Sequence, residues 1–217
     1  MPTIRAFFDS IIDVILPPKA RTARAKRLSV SQVPLSPTAH SILGVSISTL
    51  TDYRRQEVQD LIQSLKYDGN GHAAHICAAV LAEYLIEELA SESLFSTKKI
   101  LLVPVPLHTA RRRERGFNQM EVVLRSLPKD FRDGTHARLA PEVLVRERAT
   151  KQQTRLHRSE RLSNVAGAFT VPDPSLVKGT HVFLIDDVVT TGATLANAAT
   201  PLRRAGATVT LLALARA

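Results

Sequence analysis

The chain has 217 residues, 44% of them hydrophobic, enough for one α/β domain with a real core plus an appendage. Its formal charge of +9 favours anionic partners, either phosphorylated small molecules or nucleic acid. Aromatics make up only 5% with no Trp, so stacking platforms for single strands are scarce, and the lone cysteine, Cys77, excludes an internal disulfide and any cysteine-rich zinc site.

In chain order, Ile4, Phe7, Phe8, Ile11, Ile12, Ile15 and Leu16 fall at helical spacing and predict a docked amphipathic helix that ends at Pro17–Pro18. Acids inside that stretch argue against a signal peptide. Nowhere does an apolar run reach bilayer length. A reducing cytoplasm, compatible with a single cysteine, is the expected location. A basic run follows: Lys19, Arg21, Arg24, Lys26 and Arg27, then Ser, Pro and Thr up to His40. It reads as a mobile, solvated tether in preference to a nucleic-acid arm, because no aromatic is interleaved. The expected division is thus 1–44, helix and linker, and 45–217, the main domain.

From residue 45 the pattern becomes that of an α/β fold. Residues 45–50 alternate like a strand. Val58, Leu61, Ile62 and Leu65 mark a helix that stops at Gly69-Asn70-Gly71, and residues 72–89 mark a longer one with Cys77 on its core side. His72 and His75 lack ligand-spaced partners and read as surface or capping residues. Residues 100–105 form a continuous apolar run, a strand buried on both faces. Arg111, Arg112, Arg113 and Arg115 come directly after it, at the strand's carboxyl end, where open α/β sheets bind ligands. Arginine forks match phosphate oxygens, so these four are candidate anion ligands, against the alternative of a solvated helix start. A helix is expected over 116–127 and a short strand over 142–146. The polar, basic segment 148–164, with Arg148, Lys151 and Gln153, reads equally as a surface loop or as a lid that orders on an anion. β character resumes over 165–171. Later, Pro201 interrupts a helix, Gly206 offers a C-cap, and 208–215 is a final buried strand.

The most informative stretch is HVFLIDDVVTTGAT, residues 181–194. An apolar strand runs into Asp186 and Asp187, then Val188 and Val189, then a hydroxyl-rich loop, Thr190, Thr191, Gly192, Ala193 and Thr194, where a helix is expected to begin. Loop amides, threonine hydroxyls and the positive end of a helix dipole together suit one phosphate dianion. Gly192 would let the backbone approach it. The two acids can accept hydrogen bonds from neighbouring hydroxyls or hold a hydrated Mg²⁺. A ligand with a 5′-phosphate at one end and a sugar diol at the other satisfies both halves. A merely capped strand-end turn is the plainer alternative, but it does not explain adjacent acids followed by a threonine-glycine loop.

The stretch resembles the phosphoribosyl-diphosphate (PRPP) signature of type I phosphoribosyltransferases. With VPVPLHTARRRERGFNQ (103–119), RERATKQQTRLHRSERLSNVAGAF (146–169) and AGATVTLLALAR (205–216), the chain from about residue 45 onward resembles the ComF/GntX family, some of whose members are linked to DNA uptake. LIQSLKYDG (61–69) is similar to that family's Lys-Tyr element. The family's N-terminal zinc module commonly carries cysteines that residues 11–18 lack, so zinc is not expected. The resemblance implies a type I phosphoribosyltransferase-like, Rossmann-like parallel sheet flanked by helices, with a small hood or N-terminal extension. It further implies a phosphoribosyltransferase that transfers the phosphoribosyl group of PRPP to a nitrogen nucleophile and releases pyrophosphate. The 5′-phosphate is expected on residues 188–194, the ribose hydroxyls on Asp186 and Asp187, and pyrophosphate on Arg111, Arg112, Arg113 and Arg115. Arg148 and Lys151 would close over the reacting centre. Mg²⁺, reached by the acids through ribose or water, is the expected cofactor. Thr190 and Ala193 stand where 6-oxopurine enzymes usually carry an acid and often a lysine, which argues against a hypoxanthine or guanine acceptor. A non-catalytic PRPP or nucleotide sensor, or an adaptor with DNA-uptake proteins as partners, is the competing reading. Homo-oligomerisation stays open.

Overall fold

Residues 18–42, 44–93, 98–107, 112–113, 115–147 and 167–217 are described by a computed structural model. The apolar runs form a six-stranded sheet. In spatial order it comprises β1 (Thr38–Ile42), β2 (Val45–Asp52), β8 (Thr208–Arg216), β7 (His181–Val189), β3 (Ile100–Pro104) and β4 (Arg138–Leu139). All neighbours pair in parallel except β1, which turns back antiparallel on β2 at one edge. A two-stranded ribbon, β5 (Val145–Arg146) with β6 (Phe169–Thr170), stands apart from it.

Continuous rather than alternating apolarity in β3, β7 and β8 follows from helices on both faces. On one side Leu102, Phe183, Ile185 and Leu212 pack with residues of α2 (Gln56–Asp68), α3 (Gly71–Ser93) and α4 (Gln119–Arg125). On the other, Val103, Leu184 and Leu211 meet Leu195, Ala198 and Leu202 of α5 (Ala193–Arg204). Among the described residues no helix is long and apolar enough to cross a membrane.

Parallel strands share a direction, so the turns after β2, β3 and β7 gather at one edge of the sheet. α2 starts there, after Asp52, and its far end is there too, since Lys66 lies 3.5 Å from Asp187 of β7. Thirteen residues span about 20 Å, enough to cross from β2 over β8 to β7. Gly69 ends α2 in the left-handed conformation at φ 58°, and Asn70 restarts the chain by accepting from the N–H groups of His72 and Ala73. α3 then carries the chain back toward the start of β3.

Several expectations change. The basic run is not a solvated tether: 18–25 is a helix, α1 (Pro18–Ala25), packed on α2. Arg21 is buried, and Arg24 makes a two-pronged contact with buried Asp60 at 2.7 and 2.8 Å. That hydrogen bonding raises the Arg24 pKa further. Residues 38–42, read as linker, are a strand because the β2 edge offers them a full antiparallel ladder. The helix expected at 116 begins at Gln119, because Asn118 caps it. The strand expected over 142–146 is a 3₁₀ turn, Pro141–Val143, followed by β5, since proline at its first position favours the turn over a ladder. α5 runs through Pro201 to Arg204. It closes with Gly206 at φ 90°, whose N–H bonds to the Arg203 carbonyl while Ala207 N–H bonds to that of Leu202. Residues 1–17 and the segment 148–164 lie outside the described residues.

Candidate ligand site at the carboxyl edge of the sheet

β7 does not stop at Ile185; it carries the acidic pair and ends at Val189. Ala217 N–H bonds the Val189 carbonyl at 3.0 Å and fixes that end beside β8. Thr190 and Thr191 then stand exposed, and Gly192 turns the chain at φ 68° into α5. Gly192 at the N-cap of α5 brings no side chain to cap it, and the helix's first N–H groups and dipole suit an anion held by the two exposed threonines. Val188 and Val189 are buried, and Ala193 and Thr194 are half-buried in the first turn. The fold supplies a second reason for glycine here. A Cβ at Gly192 would meet Ile42 Cγ2 and Ile47 Cδ1, each at 2.8 Å. The chain's own hairpin fills that space, so glycine is required by its positive φ and by packing.

Successive strand residues face opposite sides of a sheet, and the two acids have different surroundings. Asp186 is half-buried, and its Oδ1 accepts from the Asp187 N–H at 2.9 Å. Asp187 is buried; its Oδ1 accepts from Val188 N–H and its Oδ2 lies 3.5 Å from Lys66 Nζ. Both partners in this ion pair are almost fully enclosed, with side-chain exposures of 2% and 8%. Asp187 is thus turned toward the α2–α3 layer, where its charge, after burial, helps push the Cys77 thiol up to about 12.

Of the arginine cluster, Arg112 and Arg113 are exposed and Arg115 is half-buried, its guanidinium 5.4 Å from the centre of the Tyr67 ring. Arg111, Arg148, Lys151 and Gln153 lie outside the described residues. Asn118 ties this segment to the sheet. Its Nδ2 donates to the Val105 carbonyl at 3.0 Å, while its Oδ1 accepts from Met120 and Glu121 N–H. The Gly69 turn passes the Phe117 ring, 3.4 Å from where a Cβ would stand. Two remote segments, KYDG at 66–69 and RGFN at 115–118, therefore meet beside the acidic pair.

On the far side of the loop, His40 of β1 bonds Thr49 Oγ1 at 3.0 Å and contacts Arg216. Partial burial, then the Arg216 charge, lowers its pKa.

Among the described residues no group of three or more His, Cys, Asp or Glu is arranged to hold a metal. Mg²⁺ commonly takes one or two carboxylates and completes its shell with phosphate oxygens and water. Asp186 and Asp187 are of the residue type that such a ligand-assisted site uses, and Asp187 also meets Lys66.

Lys66 and Tyr67 were visible only as a family element, with no role attached. A physical signal existed for Lys66: it stands four residues after Ile62, on the apolar stripe of α2, and a cation there needs a buried counter-ion. Nothing local marked Arg21.

The phosphoribosyl transferase domain model matches residues 56–216. The DNA utilization protein YhgH of Escherichia coli (strain K12) is 33% identical over 159 residues, 73% of this chain and 66% of that protein. The competence protein ComFC of Streptococcus pneumoniae is 30% identical over 165 residues, 76% of this chain and 65% of that protein. ComFC of Bacillus subtilis is 34% identical over 113 residues, 52% and 42% respectively. The match thus spans just under two thirds of the length of the first two relatives. Among solved structures, Leishmania donovani UMP synthase aligns with 92% of this chain and 32% of its own, at 17% identity and a TM-score of 0.32. With the family model covering both the acidic strand and the arginine segment, the chain belongs to the phosphoribosyl transferase domain family, as a homologue of the ComF proteins ComFC and YhgH.

Proposed function

We propose that this protein binds PRPP at the carboxyl edge of its sheet and transfers the phosphoribosyl group to a nitrogen nucleophile, releasing pyrophosphate. The observation that carries this reading is the α5 N-terminus: its N-cap is Gly192, which brings no side chain, exposed Thr190 and Thr191 precede it, and the strand that leads into it carries Asp186. A ligand with a 5′-phosphate at one end and ribose hydroxyls at the other would use both halves of this junction. Membership of the phosphoribosyl transferase domain family supports it.

In this mechanism the loop from Thr190 to Thr194 holds the 5′-phosphate and Asp186 accepts from a ribose hydroxyl. Asp187, oriented by Lys66, supplies the second carboxylate. A C1–N bond forms as the C1–O bond to pyrophosphate breaks, and the bonding pair leaves with pyrophosphate. The proton shed by the amine passes to solvent. Positive charge grows on the ribose, where the two acids stabilise it, and negative charge grows on the leaving group, where Arg112, Arg113 and Arg115 stabilise it. When bound, Mg²⁺ supplies further neutralisation of the pyrophosphate oxygens.

The test is calorimetric PRPP binding in the presence of Mg²⁺. Asp186→Asn combined with Asp187→Asn is expected to weaken binding by at least about tenfold, or ~1.4 kcal/mol. Unchanged binding sinks the site assignment. Names of the relatives, "DNA utilization" and "competence", favour a second reading, a PRPP-binding sensor or adaptor in DNA uptake. Pyrophosphate release across a panel of amines and bases separates the two: release supports the transferase, and binding without release supports the sensor.

A further inference from the structure

The N-terminal basic helix has no place in that mechanism, yet it reaches the site. Arg21 of α1 is 1% exposed. Its Nε lies 3.4 Å from Asp68 Oδ2, and the Thr22 hydroxyl bonds the same carboxylate oxygen. Two consecutive α1 residues thus converge on the residue next to Tyr67. The Arg21 guanidinium also lies over the Tyr67 ring, 4.7 Å from its centre, and the same ring carries the Arg115 guanidinium at 5.4 Å. Tyr67 is 39% exposed, so these contacts, more than enclosure, fix where the ring sits.

Among the described residues, Arg21 and Arg115 lie against this ring, and its neighbours in sequence, Lys66 and Asp68, pair with Asp187 and Arg21. A buried arginine is a poor choice if only packing is needed, because an apolar residue of similar volume fills the space without a desolvation cost. A guanidinium does what an apolar chain cannot: it holds an aromatic face electrostatically while its fork engages a carboxylate.

We infer that Arg21 is a positioning residue of the anion site: through Tyr67 it holds the Arg115 guanidinium where the pyrophosphate half of the ligand binds. The inference rests on the PRPP reading for its ligand and on the stacked geometry for its mechanism.

The experiment uses the full chain with three probes, PRPP, inorganic pyrophosphate and ribose 5-phosphate, each titrated calorimetrically with Mg²⁺. Arg21→Met is expected to weaken PRPP and pyrophosphate by about tenfold and ribose 5-phosphate by less than about twofold, the size of a displaced cation–π and phosphate contact. In a Tyr67→Leu background the same change is expected to add nothing, because the ring that links the two arginines is gone. Equal loss of all three probes, or a full further loss without the ring, overturns the proposal. If Arg21→Met does not fold, Arg21→Lys keeps a cation for Asp68 but lacks the planar fork, and the same selective loss is expected of it. A ligand-free readout separates this proposal from the PRPP reading. The Arg115 Nε–H resonance, assigned with Arg115→Lys, is expected to carry a ring-current shift that Arg21→Met or Arg21→Lys abolishes. A parent that binds none of the probes ends the PRPP reading, and the resonance then decides the positioning role alone: its loss supports that role, its persistence overturns it.

Discussion

Gly192 illustrates how one residue serves two constraints. Its φ of 68° strains any residue with a Cβ, and that Cβ would collide with Ile42 and Ile47. Left-handed strain costs roughly 1–2 kcal/mol and overpacking roughly 1–3. Gly192→Ala is therefore expected to lower stability by about 2–5 kcal/mol in urea denaturation. An Ile47→Val background, which removes Cδ1, should return roughly 1 kcal/mol of that loss. A full-sized penalty in both backgrounds contradicts the packing explanation. The need for glycine was legible in the sequence; its packing cause was not, because the obstructing side chains come from a hairpin far away in the chain. Lys66 and Asp187 repeat the lesson. Each looks like a charge at the end of an apolar element, and only the crossing of α2 over the sheet makes them partners.

Among elements, β3, β7 and β8 were readable because burial on both faces leaves a long apolar run that few other structures produce. α1 was not, since apart from Ala25 its described anchoring contacts are those of Arg21, Thr22 and Arg24, and charge pairs leave no periodic trace. α4 was readable in kind but began three residues late, at a cap made by Asn118. That side chain satisfies two helix N–H groups and the Val105 carbonyl at once. Asn118→Ala removes all three contacts in a buried place, and a loss of about 2–3 kcal/mol is expected. For a chain of this size that lowers Tm by roughly 4–10 °C in thermal unfolding. Asn118→Asp keeps the acceptor and loses the donor, so it should fall between. Parent-like melting of Asn118→Ala would show that the arginine segment is anchored by other contacts.

For the whole molecule, the count of 29 Lys and Arg residues overstates the free positive surface, because Arg21 and Arg24 are tied to Asp68 and Asp60. Global stability also has an identifiable alkaline weakness. Burial, then the Asp187 charge, pushes the Cys77 thiol up from 9.0 to about 12. Between those values the unfolded chain releases the proton and the folded chain keeps it. The folded state binds more protons, so stability falls as pH rises, with a slope approaching about 1.4 kcal/mol per pH unit. Below pH 9 the group has no effect. Denaturation of the parent and Cys77→Ala at pH 8 to 11 checks this; the difference between them should shrink or reverse as pH rises, and a constant difference refutes it.

The sequence by itself determined what local chemistry can encode: that the long apolar runs are the central strands, that α2 and α3 are helices, and that an acidic strand end is followed by a threonine-glycine loop. Periodicity and turn residues are written within a few positions of where they act. Tertiary structure alone decided which charges meet. Arg21 reaches an acid 47 positions away, and Asp187 turns to a lysine on a helix that crosses from β2 over β8 to β7. Such pairings depend on how the chain returns across the sheet, and no neighbouring residue records that path.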